Sequence, residues 1–147
     1  MRDAGLLVRH AAAAAPTGIA DRDRELTPEG REAFARLAER LAREVRLARV
    51  LSSPYARALA TAGLLAAVTG AEVEEEPALG SGASDAAGLL RLARAAGSGV
   101  ALVGHNPEMA GAIARVTGRD EPVPPGTVAA LETGPGGNLR PLWVRYP

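Results

Sequence analysis

The sequence predicts an α/β fold, a three-layer α/β/α sandwich around a mainly parallel, doubly wound sheet. Short apolar runs of strand length alternate along the chain with longer segments of helical period, the signature of strand–helix units. The helical segments tend to open on a capping residue or a proline and to close at a glycine. At 147 residues and 47% apolar content, the chain has room for one domain, residues 1–147, and enough apolar mass for a full core.

The first strand is expected at Gly5-Leu6-Leu7-Val8, short as buried parallel strands are. Thr27 is a natural helix cap with Pro28 at the first helical position. Phe34, Leu37, Leu41 and Val45 follow at helical spacing and predict one amphipathic helix whose other face is charged. Ala48 to Leu51 reads as the second strand, followed by a helix from near Pro54 to about Thr69, ending at Gly70. The third strand is expected at Ala71 to Val73, running into the acids Glu74 to Glu76. A third helix covers Asp85 to Ala96, with Ser84 as cap and Gly97 as stop. Val100 to Val103 is the fourth strand, expected beside the first at the centre of the sheet. A fourth helix opens at Asn106-Pro107 and ends before Gly118. Val128 to Glu132 and Leu139 to Arg145 read as a hairpin around Gly134 to Gly137. Trp143, a lone aromatic on an apolar strand, is expected in the core.

Composition narrows the function classes. Seventeen cations, all of them Arg, balance 17 carboxylates, so the global basic field of a nucleic-acid binder is absent. The four aromatic residues Phe34, Tyr55, Trp143 and Tyr146 are too few for base-stacking platforms. No cysteine is present, which excludes thiol nucleophiles, disulfides and thiolate metal sites and suits a reducing, cytoplasmic setting. Only Ala4 to Val8 separate Asp3 from Arg9, too short an apolar run for a signal peptide or membrane anchor. Oligomeric state leaves no signature in this sequence.

The chain has two histidines, and each directly follows an apolar strand: Leu6-Leu7-Val8-Arg9-His10 and Ala101-Leu102-Val103-Gly104-His105. Ligands of open α/β sheets bind outside the carboxyl ends of the strands, where both histidines fall. The second strand ends in Ser52-Ser53-Pro54, with Arg57 in the first turn of the next helix. A cation there opposes the helix dipole unless an anion offsets it. Arg9, His10, Arg57 and His105 thus converge on a small positive pocket in a neutral protein, and such a pocket suits a phosphoryl group. Two histidines without a carboxylate at ligand spacing make a poor zinc site, so neither metal nor other cofactor is expected.

These residues carry a resemblance. Leu7-Val8-Arg9-His10-Ala11-Ala12-Ala13, Arg24 to Gly30, Ser52-Ser53-Pro54-Tyr55-Ala56-Arg57-Ala58 with Thr61-Ala62, and Val103-Gly104-His105-Asn106-Pro107-Glu108-Met109 resemble, in order, the motifs of the histidine phosphatase (phosphoglycerate mutase-like) superfamily. The likeness is to its short SixA-type phosphohistidine phosphatase branch, and Pro125-Gly126-Thr127 is similar as well. The resemblance implies that one late strand runs antiparallel. It also implies that His10 is the nucleophile, forming a phosphohistidine that water hydrolyses, and that Arg9, Arg57 and His105 clamp the nonbridging oxygens. Neighbouring arginines are expected to lower the His10 pKa and keep the ring nucleophilic.

Larger members of that superfamily carry a Glu or Asp that protonates the leaving oxygen, where this chain reads Pro77-Ala78-Leu79-Gly80-Ser81. Asp21, Asp23 and Glu25 are substitutes by position, but acids flanking Arg22 and Arg24 read as solvated loop charges and none is assigned the role. A missing acid favours a phosphoramidate, whose leaving imidazole departs more readily than an alkoxide. The expected function is therefore a phosphatase for phosphohistidine on a partner protein. The alternatives are a small-molecule phosphomonoester phosphatase and a phosphate-binding regulatory module without turnover.

Overall fold

The computed structural model describes residues 1–147. A six-stranded sheet is formed by β2 (Gly5–Arg9), β4 (Arg49–Ser52), β5 (Glu72–Glu75), β6 (Val100–Gly104), β7 (Val128–Thr133) and β8 (Leu139–Arg145). Their spatial order is β5-β4-β6-β2-β7-β8. The strands β5, β4, β6 and β2 run parallel. β7 pairs antiparallel with both β2 and β8, so one late strand is reversed, as the resemblance implied. β2 and β6 lie side by side in the middle, with Leu7 opposite Leu102.

The layers follow from the two-residue period of the strands. Leu6, Val8, Ala101 and Val103 join Phe34, Leu37, Leu41 and Leu65 in one core, beneath α1 (Pro28–Ala42) and α2 (Ala56–Thr69). Leu7 and Leu102 face the other way and join Leu89, Leu90, Met109 and Ile113, beneath α3 (Ala86–Ala96) and α4 (Glu108–Thr117). The helix after β2 therefore covers one face and the helix after β6 the other, so their connections part between the two central strand ends. In a doubly wound sheet this parting is where a binding crevice opens.

Several local expectations are corrected. α1 stops at Ala42, and Val45-Arg46 forms a short strand, β3, paired with β1 (Arg2–Asp3). Val45 keeps its predicted burial but as a strand residue. α2 starts at Ala56 rather than near Pro54, because the Ser53 hydroxyl takes the Tyr55 N–H and closes a side-chain turn first. Asp85, not Ser84, caps α3, its extended backbone placing Oδ1 2.8 Å from the Gly88 N–H. Trp143 is only half-buried: it packs on the core from the edge strand and carries the Arg145 guanidinium over its ring at 4.1 Å. No helix is long and apolar enough to cross a membrane.

Candidate active site

The carboxyl end of β2 delivers Arg9 and His10, the end of β6 delivers His105, and the first turn of α2 delivers Arg57. The structure brings all four sequence-predicted residues together. The His10 and His105 ring centroids are 5.1 Å apart, and the Arg57 Nε donates to His10 Nε2 at 3.3 Å. His10 is 7%, Arg57 5% and His105 2% exposed.

The backbone around His10 is tied on every side. Its N–H donates to the Gly104 carbonyl at 3.1 Å. The Gly126 N–H reaches the carbonyls of Arg9 and His10 at 3.1 and 2.9 Å, and the Arg9 N–H donates to the Thr127 carbonyl at 3.0 Å. Gly126 adopts φ +84°, a left-handed conformation that explains the glycine in Pro125-Gly126-Thr127. On the other side the Ala11 N–H donates to Thr61 Oγ1 at 2.9 Å, and that hydroxyl donates to the Arg57 carbonyl at 2.8 Å. Gly30 presses against this same loop, where an added Cβ would come within 2.6 Å of the Ala12 carbonyl oxygen. The motif residues Thr61, Gly30 and Gly126 thus hold the histidine loop in place.

The hydrogen bonds decide the state of His10. Its Nδ1 lies 2.7 Å from the Ala11 carbonyl oxygen, which can only accept, so Nδ1 carries the proton and Nε2 presents a lone pair. Burial is the largest influence on its pKa, and the charges of Arg57, Arg9 and Arg24 add to it, lowering the value to about 4 against a partial offset from the Ala11 bond. The arginine effect expected from sequence is present, but desolvation exceeds it. His105 is held still lower, to about 3, by burial and then by His10 and Arg57. Both rings are neutral at pH 7.

The cationic groups retain free donors. Arg9 spends one terminal nitrogen on the Val123 carbonyl at 2.9 Å, which also takes the Asn106 side-chain amide at 2.9 Å, while its Nε is buried without a partner. His105 Nδ1 is likewise buried and unpaired. Unsatisfied buried polar atoms are uncommon in folded proteins and call for an explanation such as a ligand. Arg57 Nε and the His105 ring lie against a neutral imidazole whose Nε2 carries a lone pair, and Arg9 is near enough for its charge to act on that ring, an arrangement able to hold an oxyanion.

Sequence reasoning named Asp21 only as a substitute acid and set it aside as a solvated loop charge; the structure ties it to the site instead. Its carbonyl accepts from Arg57 at 2.7 Å and its carboxylate lies 3.2 Å from the same guanidinium and 2.9 Å from Arg24. The Arg24 hydrogen bond, then Arg57, hold the carboxyl below its ordinary range. Its side chain is 55% exposed, so it stands at the mouth of the site, ionised. Ser53 was quoted in a motif without a role; its Oγ lies 2.7 Å from His105 Nε2. The largest surface groove, about 450 Å³, runs past Arg91, Arg94 and Arg115 and is lined by none of the four clustered residues.

A family model, the histidine phosphatase superfamily (branch 1), matches residues 6–81. The solved structure of the SixA protein of Agrobacterium tumefaciens is similar with a TM-score of 0.83 at 27% identity, over 99% of this chain and 98% of that one. A protein histidine phosphatase SixA complexed with tungstate is similar with a TM-score of 0.79 at 25% identity, over 98% and 97% of the two chains. A phosphoserine phosphatase of Entamoeba histolytica, at 16% identity and a TM-score of 0.69 over 98% and 96%, shares the fold. No curated protein sequence matches. With both histidines at the central strand ends, a matching family model and SixA-like architecture along its whole length, this chain belongs to the histidine phosphatase superfamily, branch 1, and is a hydrolase that works through histidine.

Proposed function

We propose that residues 1–147 form one histidine phosphatase domain in which His10 Nε2 takes the phosphoryl group from a phosphohistidine on a partner protein. The observation that carries this is the 2.7 Å contact from His10 Nδ1 to the Ala11 carbonyl, which puts the proton on Nδ1 and leaves an unprotonated Nε2 beside Arg57 and His105. As phosphorus approaches, the long Arg57–Nε2 hydrogen bond gives way and the guanidinium turns its donors to the nonbridging oxygens. The P–Nε2 bond forms while the P–N bond of the substrate breaks. Water then attacks the phosphoryl group on His10, releasing phosphate and restoring the neutral imidazole. Arg9, Arg57 and His105 spread the charge of the planar phosphoryl group in both steps. No step needs a metal or other cofactor.

The absence of a poised acid supports phosphohistidine as the substrate. No acid stands at Pro77–Ser81, and Asp21 is held in its ionised form by two arginines, so no protonated carboxyl waits for a leaving alkoxide. A departing imidazole takes its proton from water at its far nitrogen and needs no such acid. The tungstate in the SixA complex, an oxyanion of phosphate-like shape, agrees with an oxyanion pocket here.

The test incubates the pure protein without metal, in parallel, with a phosphohistidine-bearing protein domain and with an aryl phosphate. Faster phosphate release from phosphohistidine is expected. Release from the ester alone replaces this reading with a small-molecule phosphomonoesterase, and stoichiometric binding without release from either makes the protein a phosphate reader.

A further inference from the structure

We infer that Ser53 is a positioning residue that sets the tautomer of His105, holding it as the Nδ1–H form so that Nδ1 donates to a phosphoryl oxygen. The inference rests on the proposed role of His105 as a phosphoryl contact and deepens it.

Ser53 follows β4 directly, and its side chain is wholly buried, at 0% exposure. A serine hydroxyl has one hydrogen to give and two lone pairs to offer. One lone pair of Ser53 Oγ is taken by the Tyr55 N–H at 3.1 Å. The other close polar atom is His105 Nε2 at 2.7 Å. Were His105 protonated on Nε2, that N–H would fill the second lone pair, and the hydroxyl hydrogen of a sealed side chain would be left without an acceptor. That hydrogen would be sealed where no ligand reaches, whereas the open donor of the Nδ1–H form sits on a ring packed beside His10, where a phosphoryl oxygen can accept it, so the hydroxyl gives its hydrogen to Nε2. A neutral imidazole carries one N–H, which is then on Nδ1.

His105 Nδ1 is the ring atom that is buried and unpaired, and His105 packs 5.1 Å from the nucleophilic ring on one side and 4.9 Å from Tyr55 on the other. With the Nδ1–H tautomer, the residue offers a donor beside His10 without carrying a charge. With the opposite tautomer it would offer a lone pair to an anion, a repulsive contact. Ser53 thus does for His105 what the Ala11 carbonyl does for His10, and both anchors lie in the backbone segments that close the crevice.

Long-range proton–nitrogen spectra of ¹⁵N-labelled protein at pH 7.5, where a ring titrating at about 3 is neutral, report the tautomer of each histidine directly. His105 is expected as Nδ1–H. Ser53→Ala should shift it toward Nε2–H and lower kcat on phosphohistidine by about 10- to 100-fold, less than the loss of a transition-state donor outright because the ring itself remains. Ser53→Thr keeps the hydroxyl and should restore both readouts. An Nε2–H wild type overturns the inference, and so does a Ser53→Ala protein with unchanged tautomer and kcat within about threefold of wild type. If Ser53→Ala does not fold, the wild-type spectrum alone decides. The spectrum needs no substrate, so an Nδ1–H ring in a protein without phosphatase activity would support the Ser53 assignment while removing the function.

Discussion

Arg57→Ala isolates the electrostatic part of the mechanism. The guanidinium is 5% exposed and committed in three directions: Nε to His10 Nε2, one terminal nitrogen to the Asp21 carbonyl, and the other to the Asp21 carboxylate. In the proposed mechanism the first of these is given up for phosphorus to reach Nε2, while the Asp21 contacts hold the guanidinium beside the site. Losing one preorganised donor to a developing oxyanion lowers the rate by about 10²–10³-fold, or about 2.7–4 kcal/mol. The lost link leaves an Asp21 carboxylate that is 55% exposed and still paired with Arg24, so no buried charge is stranded. The expected result is therefore a fall of about 10²–10³-fold in kcat/KM on phosphohistidine in a protein that still unfolds cooperatively. Arg57→Lys keeps the charge but loses the planar fork, and should fall between wild type and the alanine variant. A folded Arg57→Ala protein within about tenfold of wild type would remove Arg57 from the phosphoryl clamp.

Other outcomes follow from the same geometry. NMR titration of His10 should show a midpoint near 4 rather than the ordinary 6.5. Because the unfolded state takes up those protons at 6.5 and the native state does not, stability rises with pH across that window, by about 1.4 kcal/mol per pH unit for each buried histidine. Urea unfolding at pH 5 and pH 7 checks the sign, and a His10 midpoint at 6.5 would contradict its burial. Thr61→Val keeps the shape but strands the Ala11 N–H. It should cost about 1–3 kcal/mol, a few degrees of Tm for each kcal/mol, and reduce kcat through the loosened His10 loop; an unchanged Tm and kcat would refute the tie. Asp21→Asn should leave phosphohistidine turnover within about tenfold of wild type, since an ionised carboxylate gives no proton; a loss of 10²-fold or more, the range of general-acid catalysis, would make Asp21 the acid.

The sheet and both cores were legible because alternation along Leu6-Leu7-Val8 and Val100 to Val103 is a local property that the pleat converts into two faces. Strand order at the centre followed from where the histidines had to meet. Helix starts were less legible, since Ser84 and Asp85 are both capping residues and only the extended backbone of Asp85 selects between them. The β1–β3 pair was invisible because two-residue strands have no period to detect. At the site, the four named side chains stood at strand and helix ends and could be placed from topology alone. Asp21, Ser53 and Thr61 act through contacts spanning 36, 52 and 50 residues of sequence, and no local pattern distinguishes such a contact from a solvated loop or a buried hydroxyl.

In the proposed mechanism His10 Nε2 is the atom that receives phosphorus. The protein should be mixed with a phosphohistidine-bearing domain, quenched in base to preserve the P–N bond, and mapped by mass spectrometry. A transient phosphoryl group is expected on His10, absent from His10→Ala, which should also lose turnover to below about one per cent of wild type. Phosphate release that continues in His10→Ala, or a phosphoryl group found on His105 instead, would contradict the mechanism.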